Sequence, residues 1–159
     1  FGSQGLYICS KQKQMNKRIQ IEEVEPKSYE GMFALENYIK NCGIAGKIVH
    51  LIKMRASQIN GCAFCIDMHS KEALKDGETA RRLFLLNAWQ ETTLFTPEER
   101  IVLKITEEVT LIHKGGLSTE TYNEAVATLG ENYLAQVIMT VVAINGWNRI
   151  AVSTHKPIN

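Results

Sequence analysis

The sequence predicts an all-α fold, a single-domain helical bundle of about seven helices. Three observations support this prediction. Apolar residues recur every three or four positions through most of the chain, which is the spacing of one face of a helix. Residues that break helices are scarce, with 11 Gly and 3 Pro among 159 residues. No segment shows a convincing strand pattern of alternating apolar and polar residues.

The predicted helices follow an extended segment that ends at Pro26. Their starts carry capping residues, most clearly at Thr96-Pro97-Glu98-Glu99, where Thr caps, Pro takes the first helical position and Glu99 completes a capping box. Their ends carry Gly or Asn, as at Asn41-Cys42-Gly43. The expected helices span residues 28–41, 44–60, 62–75, 79–89, 96–113, 118–130 and 131–153.

The first residues of the chain look unlike the rest. We interpret residues 1–14 as an expression-derived or disordered leader, because Met15-Asn16-Lys17-Arg18 resembles a natural start, and we place the folded domain at residues 15–159. The leader contains no apolar stretch of the length that a signal peptide needs. We therefore expect a reducing, cytoplasmic location, where a structural disulfide framework is rare.

Charge and hydropathy exclude two classes of partner. The formal net charge is +1, which gives no electrostatic reason to bind a nucleic-acid backbone or an anionic membrane. The longest apolar run covers residues 137–144, whereas a membrane span needs about 18 apolar residues. We expect neither a nucleic-acid partner nor a membrane association.

A short internal echo links two helices. Ile59-Asn60-Gly61 precedes a pair of cysteines, and Ile144-Asn145-Gly146 repeats the same three residues within the last helix. Three identical residues are consistent with helix duplication and equally with coincidence.

The chemistry of the sequence is concentrated in a C-x-x-C motif followed by a histidine. Cys62, Cys65 and His69 share one face if the segment is helical, because about 60° separates the two cysteines and about 40° separates Cys65 from His69. A helix N-terminus at Cys62 would favour a thiolate. His69 lies four residues after Cys65, so Cys65 is the thiol that it can best activate. We expect Cys65 to be the nucleophile and Cys62 the resolving partner.

Two other interpretations of this segment stay open. Cys62, Cys65 and His69 could bind zinc, although the sequence shows no fourth ligand at a typical spacing. The two cysteines could also be inert and buried. Cys42 is interpreted as a small apolar residue, and Trp89 and Trp147 as core or subunit-contact aromatics.

The sequence resembles the alkylhydroperoxidase D-like group of the carboxymuconolactone decarboxylase superfamily. Three segments carry the resemblance: Arg55 to His69, Arg82-Leu83-Phe84-Leu85-Leu86-Asn87-Ala88-Trp89 and Ile144-Asn145-Gly146-Trp147-Asn148-Arg149-Ile150. The resemblance implies an all-α fold and a homo-oligomer, a trimer or hexamer. It also implies an antioxidant peroxidase that reduces organic hydroperoxides without a metal, flavin or haem. Cys65 would be peroxidatic, Cys62 resolving and His69 part of a proton relay, with an external dithiol of the lipoyl or thioredoxin type as reductant.

One position departs from the family pattern. Well-studied members carry a Glu twelve residues before the first cysteine, and this chain has His50 there. His50 could pass a proton, so it is a fourth candidate catalytic residue, but it cannot supply a fixed negative charge. Three hypotheses follow: a thiol peroxidase, a thiol–disulfide oxidoreductase without significant peroxidase activity, or a metal-stabilised or structural helical oligomer.

Overall fold

The computed structural model describes residues 18–158, so the interpreted leader at residues 1–14 lies outside the described residues. Within residues 18–158 the chain forms α-helices and short 3-10 helices and no strand, which confirms the all-α prediction. The 3-10 helices are Leu86–Glu91 and Ile112–Lys114. The eight α-helices of this range are α1 (Ile21–Val24), α2 (Ser28–Asn41), α3 (Gly46–Asn60), α4 (Ala63–Lys75), α5 (Ala80–Leu85), α6 (Pro97–Thr110), α7 (Thr119–Leu129) and α8 (Glu131–Thr154).

Three segments differ from the sequence prediction. The helix predicted to run to His113 ends at Thr110, and the 3-10 helix Ile112–Lys114 follows it. The segment predicted to be extended contains α1, a single turn held by contacts that local sequence does not reveal: Tyr29 donates a hydrogen bond to Glu22, and Lys156 forms an ion pair with the same carboxylate. The helix predicted over residues 79–89 instead changes from α to 3-10 geometry at Leu86, with a kink at Ala88.

The predicted capping box at the start of α6 is present. The Glu99 N–H donates to Thr96 Oγ1 at 3.2 Å, and the Thr96 N–H donates to Glu99 Oε2 at 2.8 Å. The same carboxylate also binds Arg82 of α5, which ties the two helices together. This second bond is a tertiary contact that the local motif does not predict.

Helix α3 runs through the centre of the molecule and packs against α4, α6 and α8. Its buried side chains contribute to two apolar clusters, one toward α6 and α8 and one toward α5 and the 3-10 helix that follows it. The first cluster includes Ile48, Ile52, Ala56, Val102, Ile105, Val137, Val141 and Ile144, and the second includes Leu51, Met54, Leu83, Leu86, Trp89 and Leu103. Across residues 18–158, none of the helices is both long and apolar enough to cross a membrane.

The asparagines of the two Ile-Asn-Gly repeats, Asn60 and Asn145, are hydrogen-bonded to each other. Asn60, the last residue of α3, donates its amide to Asn145 Oδ1 at 3.0 Å and to Asn148 Oδ1 at 2.9 Å. Asn148 donates in turn to Ser57 Oγ at 3.0 Å, and Asn145 to Thr110 Oγ1 at 3.0 Å. This polar network joins the end of α3 to the middle of α8, close to the cysteine motif.

We predict that Asn148→Leu destabilises the fold by about 2 kcal/mol, because the substitution leaves the buried Ser57 hydroxyl and the half-buried Asn60 amide without this partner. Equilibrium unfolding in urea would measure the change in the free energy of unfolding. The control is Asn132→Leu on the exposed face of the same helix, which should change stability little. Equal stability of Asn148→Leu and the wild type would contradict the structural role of the network.

Candidate active site

The cysteine motif sits at a sharp corner between α3 and α4. Gly61 ends α3 in the left-handed region, with φ of 65°, a conformation that glycine adopts without a Cβ clash. Cys62 is then the N-cap of α4, and its sulfur accepts a hydrogen bond from the Cys65 N–H at 3.3 Å. The corner therefore puts Cys62 at a helix N-terminus, as its proposed redox chemistry needs.

Cys62 and Cys65 form a disulfide within this single turn. Their Cα atoms are 5.3 Å apart, and Cys62 is 1% and Cys65 2% exposed. Ala151 of α8 packs against both, and Phe64, the residue between them, packs at the edge of the cluster. The two sulfurs are therefore placed to form a bond with each other, as the C-x-x-C spacing allows.

Cys65 opens onto a cavity of about 320 Å³ whose walls are largely apolar. Aromatic rings from α2 and α8 face the α4 residues across this cavity. Tyr29 packs edge-to-face against Trp147 with ring centroids 5.2 Å apart and against Phe33 at 5.8 Å. Trp147 packs against the first apolar cluster, as the sequence suggested, and it is also part of the wall of the cavity that contains Cys65.

His69 lines the same cavity as Cys65 and is 3% exposed. Its Nδ1 lies 2.8 Å from Glu72 Oε2, one turn further along the face of α4. The hydrogen bond from His69 lowers the pKa of Glu72 from its ordinary value, and the positive fields of Lys53 and His50 lower it further against the opposing effect of burial. An ionised carboxylate only accepts hydrogen bonds, so His69 donates this bond from Nδ1.

The structure does not bring His50 into this cavity. His50 Nε2 lies 2.8 Å from Asp76 Oδ2, and the ring faces a neighbouring depression that also includes Glu36, Lys53 and Glu72. Three of the four candidate catalytic residues therefore lie together: Cys62, Cys65 and His69. His50 lies outside the cavity, and its effect on the site is to help lower the pKa of Glu72.

An ion pair separates the cavity from the depression. Lys53 Nζ lies 2.7 Å from Glu36 Oε2, and the Trp147 indole donates to the other oxygen of Glu36 at 3.0 Å. Sequence reasoning missed Glu72, Glu36 and Lys53. Glu72 could have been found, because it lies three residues after His69 on one helix, but Glu36 and Lys53 come from different helices and carry no local signal.

The zinc interpretation gains no support from this geometry. Among residues 18–158, no group of three or more His, Cys, Asp or Glu side chains is arranged to hold a metal ion.

The chain is a helical bundle in which a C-x-x-C motif forms a disulfide at a helix N-terminus. A histidine lies next to this motif in an apolar cavity. Together these features define a class of all-α proteins with a cysteine pair suited to redox chemistry. Residues 26–108 match the model of the carboxymuconolactone decarboxylase family, and the chain belongs to this family. The resemblance identified in the sequence is thereby confirmed.

Individual relatives agree with this assignment. The uncharacterized protein YdfG of Bacillus subtilis is 37% identical over 139 residues, which cover 87% of this chain and 95% of YdfG. The crystal structure of ATU0492 from Agrobacterium tumefaciens, a protein of unknown function described as a candidate AhpD antioxidant-defence protein, is 36% identical with a TM-score of 0.85, covering 90% of this chain and 99% of that one. The debrominase Bmp8, at 17% identity and a TM-score of 0.77 over 86% of this chain and 74% of its own, shares the fold.

We predict that Glu72→Gln slows the reaction of the Cys65 thiol with an alkylating reagent by about tenfold or more, because a neutral amide no longer holds the charge and tautomer of His69. The measurement is the alkylation rate of the reduced protein near pH 7. The matched control is Asp67→Asn on the same helix, whose carboxylate binds the exposed Lys71 and should leave the rate unchanged. Equal slowing by both variants would show a general effect of charge.

The same pair has a signature in the pH dependence of stability. The pKa of Glu72 is lower in the folded state than its ordinary value of 4.5, so its stabilising effect is complete above pH 4.5 and is lost as the pH falls through the lowered pKa. The difference in unfolding free energy between wild type and Glu72→Gln should therefore shrink below that pH. A constant difference would argue against the hydrogen bond between His69 and Glu72.

Proposed function

We propose that this protein is a cytoplasmic, thiol-dependent peroxidase that reduces organic hydroperoxides in an antioxidant role. The observation that carries the proposal is the shared cavity of Cys65 and His69, with Cys62 within disulfide-bonding distance behind it. The family assignment supports it, as does the similarity to ATU0492, a candidate antioxidant-defence protein.

The proposed cycle begins with the reduced pair. The Cys65 thiolate attacks the distal oxygen of the hydroperoxide, the O–O bond breaks, and the departing alkoxide takes a proton from the His69 ring to leave as an alcohol. Cys65 then carries a sulfenic acid. The Cys62 thiol attacks that sulfur, a disulfide forms and water leaves, which gives the oxidised pair seen in the structure.

The walls of the cavity favour a substrate with an apolar body. Four aromatic side chains and Met68 surround the path to Cys65, and the ammonium group of Lys53 is already paired with Glu36. Lys156, the other lysine of the cavity lining, is paired with Glu22, so neither ammonium group is free to bind an acidic group. An alkyl or aryl hydroperoxide would bury its apolar surface there, whereas hydrogen peroxide would gain nothing from these contacts.

The cycle is closed by an external dithiol of the lipoyl or thioredoxin type, which reduces the disulfide in two exchange steps. We also propose that the protein acts as a homo-oligomer, a trimer or hexamer. Support comes from an apolar groove beside α5, at whose edge the Phe84 side chain is 78% exposed.

A second candidate function is thiol–disulfide exchange without significant peroxidase activity. It is favoured by the position of His50, which lies outside the cavity and so adds no proton donor next to the peroxide. The pair at the helix N-terminus would then exchange electrons with other disulfides.

We predict that Cys65→Ser abolishes hydroperoxide consumption, because the sulfur in the cavity is removed. Cys62→Ser should react once and stop at a sulfenic acid, since no resolving thiol remains. Turnover with cumene hydroperoxide and trapping of the sulfenic acid with dimedone would measure both effects. Cys42→Ser, which changes the free cysteine of residues 18–158 and lies outside the cavity, is the control and should retain activity. A Cys65→Ser protein that consumes hydroperoxide at the wild-type rate would eliminate the mechanism.

The two candidate functions predict different kinetics for the reduced protein. A peroxidase should be oxidised by cumene hydroperoxide at least about a hundredfold faster than an unactivated thiol, because a positioned acid and base contribute about that much. Stopped-flow Trp fluorescence can follow oxidation by the hydroperoxide and by a small disulfide separately. Fast oxidation by the disulfide alone would favour the second candidate.

A further inference from the structure

Three aromatic side chains from α2 and α8 form one wall of the cavity that contains Cys65. We refer to Tyr29, Phe33 and Trp147 as the aromatic trio. The Phe33 ring contacts both of the others, with its centroid 5.8 Å from that of Tyr29 and 5.7 Å from that of Trp147. The interplanar angles are 61° and 48°, so Phe33 is not stacked flat on either ring. A further aromatic ring can therefore pack against the edges or the faces of the trio.

Hydrogen bonds hold two rings of the trio in place. The Trp147 indole donates to Glu36 Oε1 at 3.0 Å, and Glu36 is itself paired with Lys53. The Tyr29 hydroxyl donates to Glu22 Oε2 at 2.9 Å. Because these rings are already ordered, a ligand that packs on them loses little affinity to the ordering of side chains.

Phe33 is the most exposed ring of the trio. It lines the cavity and yet is 60% exposed, which places it at the mouth. A large apolar ring at the mouth of a cavity offers a surface that a ligand can cover. From the α4 side, Phe64 and Met68 line the same cavity. The thioether sulfur of a methionine also packs favourably at the edge of an aromatic ring.

We propose that the cavity selects hydroperoxides in which an aromatic ring is attached to the carbon that bears the hydroperoxide group, and that Phe33 is a specificity-determining residue. This inference rests on the proposed function, because it names the substrate class of the Cys65 site. The ring of the substrate packs between the trio and Met68. Its hydroperoxide group then lies toward Cys65 and His69, which line the same cavity.

Contacts between rings, and not buried area, distinguish this substrate from an aliphatic one. A saturated ring has a larger apolar surface than an aromatic ring with the same number of carbon atoms, so burial of area alone would favour the saturated ring. Each edge-to-face or offset contact between two aromatic rings adds affinity beyond the buried area, by about threefold to tenfold. A wall built from three aromatic rings therefore reverses the order that apolar burial alone would give.

The first test measures binding without chemistry. Two alcohols, 2-phenylpropan-2-ol and 2-cyclohexylpropan-2-ol, are titrated into the oxidised protein, whose disulfide does not react with them. We expect the phenyl alcohol to bind at least about threefold more tightly. The chain has 2 Trp, so the NMR spectrum locates the ligand: the indole N–H signal of Trp147 should shift, and that of Trp89, in the second apolar cluster, should not.

The Phe33→Leu variant keeps an apolar side chain and removes the ring. It should lower the ratio of the two affinities, phenyl over cyclohexyl, by about threefold or more, because a contact between rings is lost. The matched control is Tyr38→Leu, which changes a 43% exposed ring of the same helix outside the cavity and should leave the ratio unchanged. Both side chains are exposed, so neither substitution leaves a void in the core.

Three results would overturn the proposal. The first is that wild-type protein binds the cyclohexyl alcohol as tightly as the phenyl alcohol or more tightly. The second is an unchanged ratio in Phe33→Leu. The third is a ligand-induced shift of the Trp89 signal in place of that of Trp147. The first and third need no variant, so the test does not depend on how Phe33→Leu folds.

The second test uses the reduced protein and the two corresponding hydroperoxides. Cumene hydroperoxide should oxidise Cys65 faster than its cyclohexyl counterpart, and Phe33→Leu should reduce that difference. The rate with tert-butyl hydroperoxide, which has no ring, should stay nearly unchanged in Phe33→Leu. Equal rates with both ring compounds would overturn this inference and leave the peroxidase intact. Selective binding of the phenyl alcohol without oxidation by any hydroperoxide would overturn the proposed function and leave the selectivity of the cavity standing.

Discussion

The site depends on how the end of α3 is fixed to α8. The side-chain amide of Asn60 bridges Asn145 and Asn148, and the next residue, Gly61, turns the chain into α4. Buried amide bonds have a directional geometry that apolar packing lacks, so they set the position of the corner as well as its stability. Because the cysteine pair begins immediately after this corner, the same bonds determine which face of α8 lies against the disulfide.

The corner also explains why two cysteines three residues apart have different environments. The sulfur of Cys62, as N-cap, lies outside the helical turn and takes a hydrogen bond from the Cys65 N–H. The Cys65 sulfur lies one position inside the helix, on the face that carries His69 one turn later. Although the two sulfurs are bonded, only Cys65 lines the cavity that contains His69. A redox pair of this kind needs two sulfurs that are close enough to bond and yet have different surroundings. One helical turn supplies both.

Local regularities made much of this predictable from sequence. Helical spacing placed Cys65 and His69 on one face, and the motif at Thr96 fixed the start of α6. What remained hidden depends on contacts between distant segments. Trp147 packs on the core as expected, but nothing in α8 reveals that its ring also contacts Tyr29 and Phe33. Likewise, the turn of α1 is held by Lys156, which follows α8. Periodicity shows which face of a helix is apolar, but it does not show what covers that face.

The substitution at His50 can be understood from the charges around the site. A Glu at that position, as in well-studied family members, would place a negative charge on α3. This chain has His50 there, so that charge is absent. In this structure the carboxylate comes from α4 itself, as Glu72, hydrogen-bonded to His69. His50 and Lys53 then act from α3 as positive charges that help to lower the pKa of Glu72, and Asp76 holds the His50 ring in place. A carboxylate on α3 at this position would repel Glu72 and raise its pKa instead. His50 therefore suits a site in which the carboxylate that positions His69 is Glu72, on the same helix as His69.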